Sequence, residues 1–207
     1  ANNTAVKGLY WKGQGVGRNV VVISSIEHHA VLDPAQWLAL HEGAEVIEIG
    51  VDSNGIINLA QLEDVISRRG DEIAVISIMS SNNETGVVQP IDEVTQLAGT
   101  IPVHSDAVQS FGKIPLSFQQ LGLTAMSVTA HKLGGPIGVG ALVLRKGFDI
   151  PALLHGGGQE RDIRSGTFNA PAILAFAAAV HESSRTFSER NERVAGLRDH
   201  LANGWLE

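Results

Sequence analysis

The sequence predicts an α/β fold, a mostly parallel sheet of seven strands with helices on both faces. Three observations lead there. Strand-length runs of β-branched apolar residues alternate with segments of helical periodicity. The runs are continuously apolar rather than alternating, as expected of strands covered on both faces. Polar residues gather just after several runs, where a parallel sheet presents its ligands beyond the carboxyl ends of its strands.

The elements follow in order. "ANNTAVKGLYW" at the start is helix-like. "NVVVISS" (19–25) reads as a buried strand, followed by a helix in "AVLDPAQWLALHEG" that ends at Gly43. "EVIEIGV" (45–51) is the next strand. "NLAQLEDVISRRG" then places Leu59, Leu62, Val65 and Ile66 on one helical stripe, with Gly70 as terminator. "EIAVISIMS" (72–80) is a third strand, and "PIDEVTQLAG" opens a helix with Pro90 in its first turn. "IPVHSDA", "AMSVTA" and "GALVLRK" supply further strands, and residues 170–206 are alanine-rich and largely helical. No internal repeat, low-complexity tract or linker interrupts this order. Both ends fall inside helical patterns, as expected of part of a larger protein.

Composition narrows the function. With 43% hydrophobic and 18% charged residues the chain can bury a core. A net charge of −7 argues against a nucleic-acid or anionic-membrane surface. No apolar run approaches the ~18 residues of a membrane span, and no signal peptide is visible. A cytoplasmic location is the default expectation. The absence of cysteine excludes a disulfide framework, a thiolate nucleophile and a cysteine metal site within these residues. The histidines lack metal-ligand spacing, so no metal site is expected. "GGPIGVG" is followed by a strand rather than a helix, which argues against a dinucleotide loop.

The polar residues at the strand ends hold the chemistry. "EHHAVL", "SSNNETG", "HSDAVQ" and "TAHKLGG" together supply an acid (Asp106), amides (Asn83, Gln109), imidazoles (His28, His131), a hydroxyl (Thr129) and an amine (Lys132). Such a set can hold an anionic aromatic cofactor and form a Schiff base with it. Each residue also has a purely structural reading. Asp106 can be a helix N-cap, "NNETG" can be an Asx turn, one of His28 and His29 a polar helix start, and His104 a packed core residue. Lys132 beside a glycine loop can simply face solvent.

Taken jointly, the stretches "EHHAVL", "NNETGVVQPI", "VHSDAVQSFGKIPL", "TAHKLGGPIGVGAL" and "LLHGGGQERDIRSGT" resemble the class V, fold-type-I pyridoxal-phosphate enzymes. Within them the sequence is similar to group I, NifS/IscS-like cysteine desulfurases. The resemblance implies that residues 1–207 are a pyridoxal 5'-phosphate-binding large domain, truncated at both ends. The N-terminal phosphate turn, the C-terminal small domain and its catalytic cysteine loop would be absent. It implies that Lys132 forms the Schiff base and shuttles the Cα proton, while Asp106 pairs with the pyridine nitrogen. Gln109 and Asn83 would lie near the phenolic oxygen. His28 would stack on the ring and serve as acid–base for the substrate thiol. Thr129 and His131 would bind the phosphate; serine is more usual in the family where Thr129 stands. Thr167 would reach the phosphate of a partner subunit, in a homodimer with shared active sites. L-cysteine would yield alanine and a protein persulfide, destined for a sulfur-acceptor protein in iron–sulfur cluster and other sulfur pathways. These residues alone would be inactive. Lys132 and Asp106 fit equally an aminotransferase or selenocysteine lyase of the same class, and a non-catalytic dimerisation or partner-binding module is the reading from outside it.

Overall fold

The computed structural model describes residues 1–206. Its elements run α1 (Asn2–Gln14), β1 (Val20–Ser24), α2 (His29–Glu42), β2 (Glu45–Ile49), α3 (Leu59–Arg69), β3 (Ile73–Ser77), α4 (Ile91–Ala98), β4 (Val103–Asp106), β5 (Ala125–Thr129), β6 (Gly140–Leu144), α5 (Ala170–Arg185) and α6 (Phe187–Leu206). The strands form one sheet in the order β2-β1-β3-β4-β5-β6. All neighbours are parallel except β5 and β6, whose antiparallel pairing puts Thr129 opposite Gly140.

The mostly parallel sheet is as predicted; the strand number is not. Six strands, not seven, stand among the described residues, and each grows from one of the six apolar runs. No further run of strand character exists to supply a seventh. The strands are also shorter than the runs, because flanking residues such as Met79 and Ala107 are buried beyond the last ladder pair. Gly43 ends α2 in the left-handed conformation, at φ 71°. Pro90 stands at the N-cap of α4, one position before the helix.

Two apolar layers sandwich the sheet. Val21 and Ile23 of β1 face α1 and α2, meeting Leu9, Tyr10, Val31 and Leu38. Val20 and Val22 face the other way, toward Leu62 of α3 and Val94 of α4. This alternation of faces is what turns a continuously apolar run into a doubly covered strand.

One irregularity fits α1 to the sheet. Val20 pairs with Ile73 and Val21 with Val75, so Ala74 is the extra residue of a bulge. Gly13 of α1 sits on it: a Cβ there would lie 2.5 Å from the Ala74 Cβ and 2.9 Å from its Cα. In a free helix Gly→Ala gains about 1 kcal/mol, but here the strand backbone would have to retreat, and such overpacking costs about 1–3 kcal/mol. Gly13→Ala is therefore expected to lower the urea unfolding midpoint. A raised midpoint would show that the contact is soft.

A buried polar row crosses the three central strands on the α1 face. Ser77 Oγ lies 2.8 Å from His104 Nδ1, and Ser127 Oγ lies 2.9 Å from His104 Nε2. His104 is thus a packed residue with both ring nitrogens partnered. Burial pushes its imidazole down to about 3, so the ring is neutral.

Candidate active site

The chain leaves β1 through α2 to β2 on one side, then crosses to β3 on the other. The loops after β1 and β3 therefore diverge, and a ligand crevice opens beyond the carboxyl ends of such strands. A cavity of about 550 Å³ lies there, within the range of small-molecule sites.

Seven of the eight predicted site residues line it. His28 comes from the β1 loop, Asn83 from the β3 loop, and Asp106 and Gln109 from the end of β4. Thr129, His131 and Lys132 come from the end of β5. Thr167 does not join them. It is exposed, five residues after a stretch (Glu160, Arg161, Asp162) whose φ angles of 46°, 57° and 62° are left-handed.

The local structure separates structural from free roles. His28 is the N-cap of α2, its Nδ1 accepting from Ala30 N at 3.0 Å. That bond assigns the proton of the neutral ring to Nε2. His29 is the exposed helix start, 2.9 Å from Asp33. The Asx turn belongs to Asn82, whose Oδ1 accepts from the N–H groups of Glu84 and Thr85. Asn83 is left exposed at the cavity, bonded only to Glu84. Asp106 is no N-cap, because β4 is followed by turns and not by a helix; it closes an Asx-type turn and also lines the cavity. Its Oδ1 accepts from Val108 N at 2.9 Å and its Oδ2 from Asn2 Nδ2 at 2.6 Å. Thr129 Oγ1 lies 3.0 Å from His131 Nδ1. Lys132 stands in a single 3-10 turn, His131–Leu133, and is exposed to the cavity rather than buried at a strand end.

The sequence reading passed over three residues here. Asn2 holds Asp106, and its Oδ1 is buried without a partner at the cavity wall. Lys113 donates to Gln109 Oε1 at 2.8 Å across a turn. Burial, then the charges of Lys132 and Arg190, lower the Lys113 amine. Glu27, inside "EHHAVL", bonds Ser24 and Met79 just before His28 in the chain.

Known proteins resemble this chain over almost all of its length. Residues 1–202 match the family model for aminotransferase class-V. The chain belongs to the class-V aminotransferase family. It is 42% identical to an IscS-like cysteine desulfurase of Mycobacterium tuberculosis, over 100% of this chain and 53% of that one. It is 39% identical to cysteine desulfurase IscS of Methanosarcina thermophila, over 100% of this chain and 50% of that one. It thus spans about half the length of these curated relatives. Among solved structures, a NifS-like protein superposes with TM-score 0.92 at 38% identity, covering 99% of this chain and 56% of that one. DndA from Streptomyces lividans gives 0.87 at 36%, covering 98% and 58%.

Class-V enzymes depend on pyridoxal phosphate, and the residues present fit that group. Apolar walls (Ala30, Met79, Val128, Val139) suit a flat ring, and Asp106 can accept from a ring N–H. Thr129 and His131 can donate to an anion, and Lys132 offers the amine. Gly140 lets the wall close in, since a Cβ there would stand 2.6 Å from the Val128 carbonyl oxygen.

Proposed function

We propose that this chain is the cofactor-binding large domain of a pyridoxal-phosphate-dependent cysteine desulfurase. The observation that supports it most is the meeting of Lys132, Asp106 and His28 at one cavity, in a chain whose relatives are named cysteine desulfurases. Pyridoxal phosphate, when bound, supplies the electron sink that stabilises negative charge at the substrate Cα. The chain's own residues do the rest. Lys132 Nζ would hold the cofactor at its aldehyde group and, as a free amine, would carry the Cα proton. Asp106, fixed by Asn2 and Val108, orients the ring nitrogen. His28 covers the ring and exchanges a proton with the substrate thiol at Nε2. Gln109, with Lys113 behind it, addresses the phenolic oxygen, and Asn83 the substrate carboxylate. Thr129 and His131 hold the phosphate, and Thr167 serves the site of a second copy in a homodimer.

The reaction moves the sulfur of L-cysteine to an acceptor thiol, giving alanine and a persulfide. No cysteine occurs in the 207 residues, so the thiol comes from outside them, and a sulfur-acceptor protein takes the persulfide sulfur onward. With pyridoxal phosphate the chain is expected to develop a visible absorption band that L-cysteine perturbs, and to form alanine only slowly while no thiol beyond the substrate's own is added. Fast alanine formation with no thiol beyond the substrate's own, unchanged when an acceptor thiol is added, would overturn the route through a protein persulfide. Transfer of the amino group to a 2-oxo acid would overturn the desulfurase reading in favour of an aminotransferase.

A further inference from the structure

Glu27 takes no part in the chemistry described above, yet its side chain ties together the two loops that carry His28 and Asn83 to the cavity. Its Oε1 accepts from Ser24 Oγ at 2.6 Å and from the Met79 N–H at 2.7 Å. Ser24 ends β1, and Met79 lies just past the end of β3. One carboxyl oxygen therefore spans the two strands between which the chain reverses direction. A second tie runs parallel to it, from Asn82 Nδ2 to the Ile26 carbonyl oxygen at 3.0 Å. The two ties sit directly before His28 in one loop and directly before Asn83 in the other. Loops that diverge at a switch point have no ladder to hold them together, so these side-chain bonds set their separation.

We propose that Glu27 is a positioning residue, whose buried carboxyl clamps the β1 loop to the β3 loop and so places His28 and Asn83 on opposite rims of the cofactor cavity. The proposal rests on the functional reading above for what the cavity holds, but the clamp itself is a property of the chain alone. The carboxyl is uncharged at neutral pH. Burial pushes it up to about 8, against the Ser24 and Met79 bonds that favour the anion, and the Asp106 charge adds to the rise. Its Oε2 is buried without a partner, which costs less for a neutral carboxyl than for an anion. Asp106, at the end of β4, is the titratable group whose charge reaches it.

Glu27→Gln keeps an accepting oxygen in the same place, whereas Glu27→Met fills the space without one. Amide hydrogen exchange on the chain without cofactor is expected to be about tenfold faster in Glu27→Met, at residues 26–31 and 79–84 only. Glu27→Gln should match the wild type. Ser24→Ala removes the other donor to Oε1 and should accelerate the same two segments about threefold, which keeps the test decisive if Glu27→Met does not fold. With pyridoxal phosphate added, Glu27→Met should bind about tenfold more weakly, with an altered visible dichroism, and Glu27→Gln should restore both. Unchanged exchange in Glu27→Met, or in Ser24→Ala where Glu27→Met is unfolded, would overturn the clamp. A wild-type chain that shows the exchange pattern but never binds pyridoxal phosphate would sink the functional reading and leave the clamp standing.

Discussion

Replacing Lys132 with alanine is expected to abolish covalent attachment of pyridoxal phosphate to this chain. Borohydride reduction of the wild type should fix the cofactor to the peptide carrying Lys132, and Lys132→Ala should lose that adduct by on the order of 100-fold or more. The competing amine is Lys113, which shares a second, cationic cavity with Lys132 and Arg190. Its lowered pKa makes it the better nucleophile of an ordinary pair of lysines. Geometry decides otherwise. Lys113 is spent on Gln109 Oε1 and does not line the cavity that holds Asp106 and His28. Lys113→Ala should therefore leave the adduct in place. An adduct found on Lys113 would move the reactive centre into the second cavity. Asp106→Ala should weaken retention without removing the adduct, because a ring-nitrogen contact orients the cofactor but does not bind it covalently.

How much of this was legible in the sequence depends on the distance over which each residue acts. The strands were legible because their period and apolar continuity are local properties, and six runs became six strands. The residues after those runs were legible as a site because parallel strands must deliver their ends to one edge. The bulge at Ala74 was not, since it answers to Gly13, some sixty positions earlier. Asn82 and Asn83 were indistinguishable by type; which one made the Asx turn and which faced the cavity depended on the backbone. Glu27 and Asn2 were passed over for a similar reason. A buried carboxyl bonded to Met79, and an amide bonded to Asp106 across 104 positions, leave no local pattern. Lys113 was missed although close in sequence, because the turn that brings it to Gln109 has no helical period to announce it.

The stability of the chain is expected to peak in mildly acidic solution and to fall on both sides, through two buried groups with opposite signs. His104 drops from an ordinary 6.5 to about 3. The unfolded chain then binds the extra proton between those values, and stability is lost as pH falls from 6.5 toward 3. Glu27 rises from an ordinary 4.5 to about 8. Here the folded chain binds the extra proton, and stability is lost as pH rises from 4.5 toward 8. Each slope is about 1.4 kcal/mol per pH unit where one group acts alone. Between 4.5 and 6.5 the two cancel, which leaves a plateau. Exposed carboxylates such as Glu45 and Glu72, lowered by Arg69, steepen the acid side only modestly because water and salt screen them. The deciding measurement is thus a difference between variants rather than the raw curve. Urea midpoints taken from pH 3.5 to 9 should show the plateau in the wild type. Glu27→Gln should flatten the alkaline limb and His104→Gln the acid limb, each leaving the other limb intact. An alkaline limb that survives in Glu27→Gln would mean that the carboxyl is already ionised in the fold, and that Ser24 and Met79 stabilise its charge more than burial disfavours it.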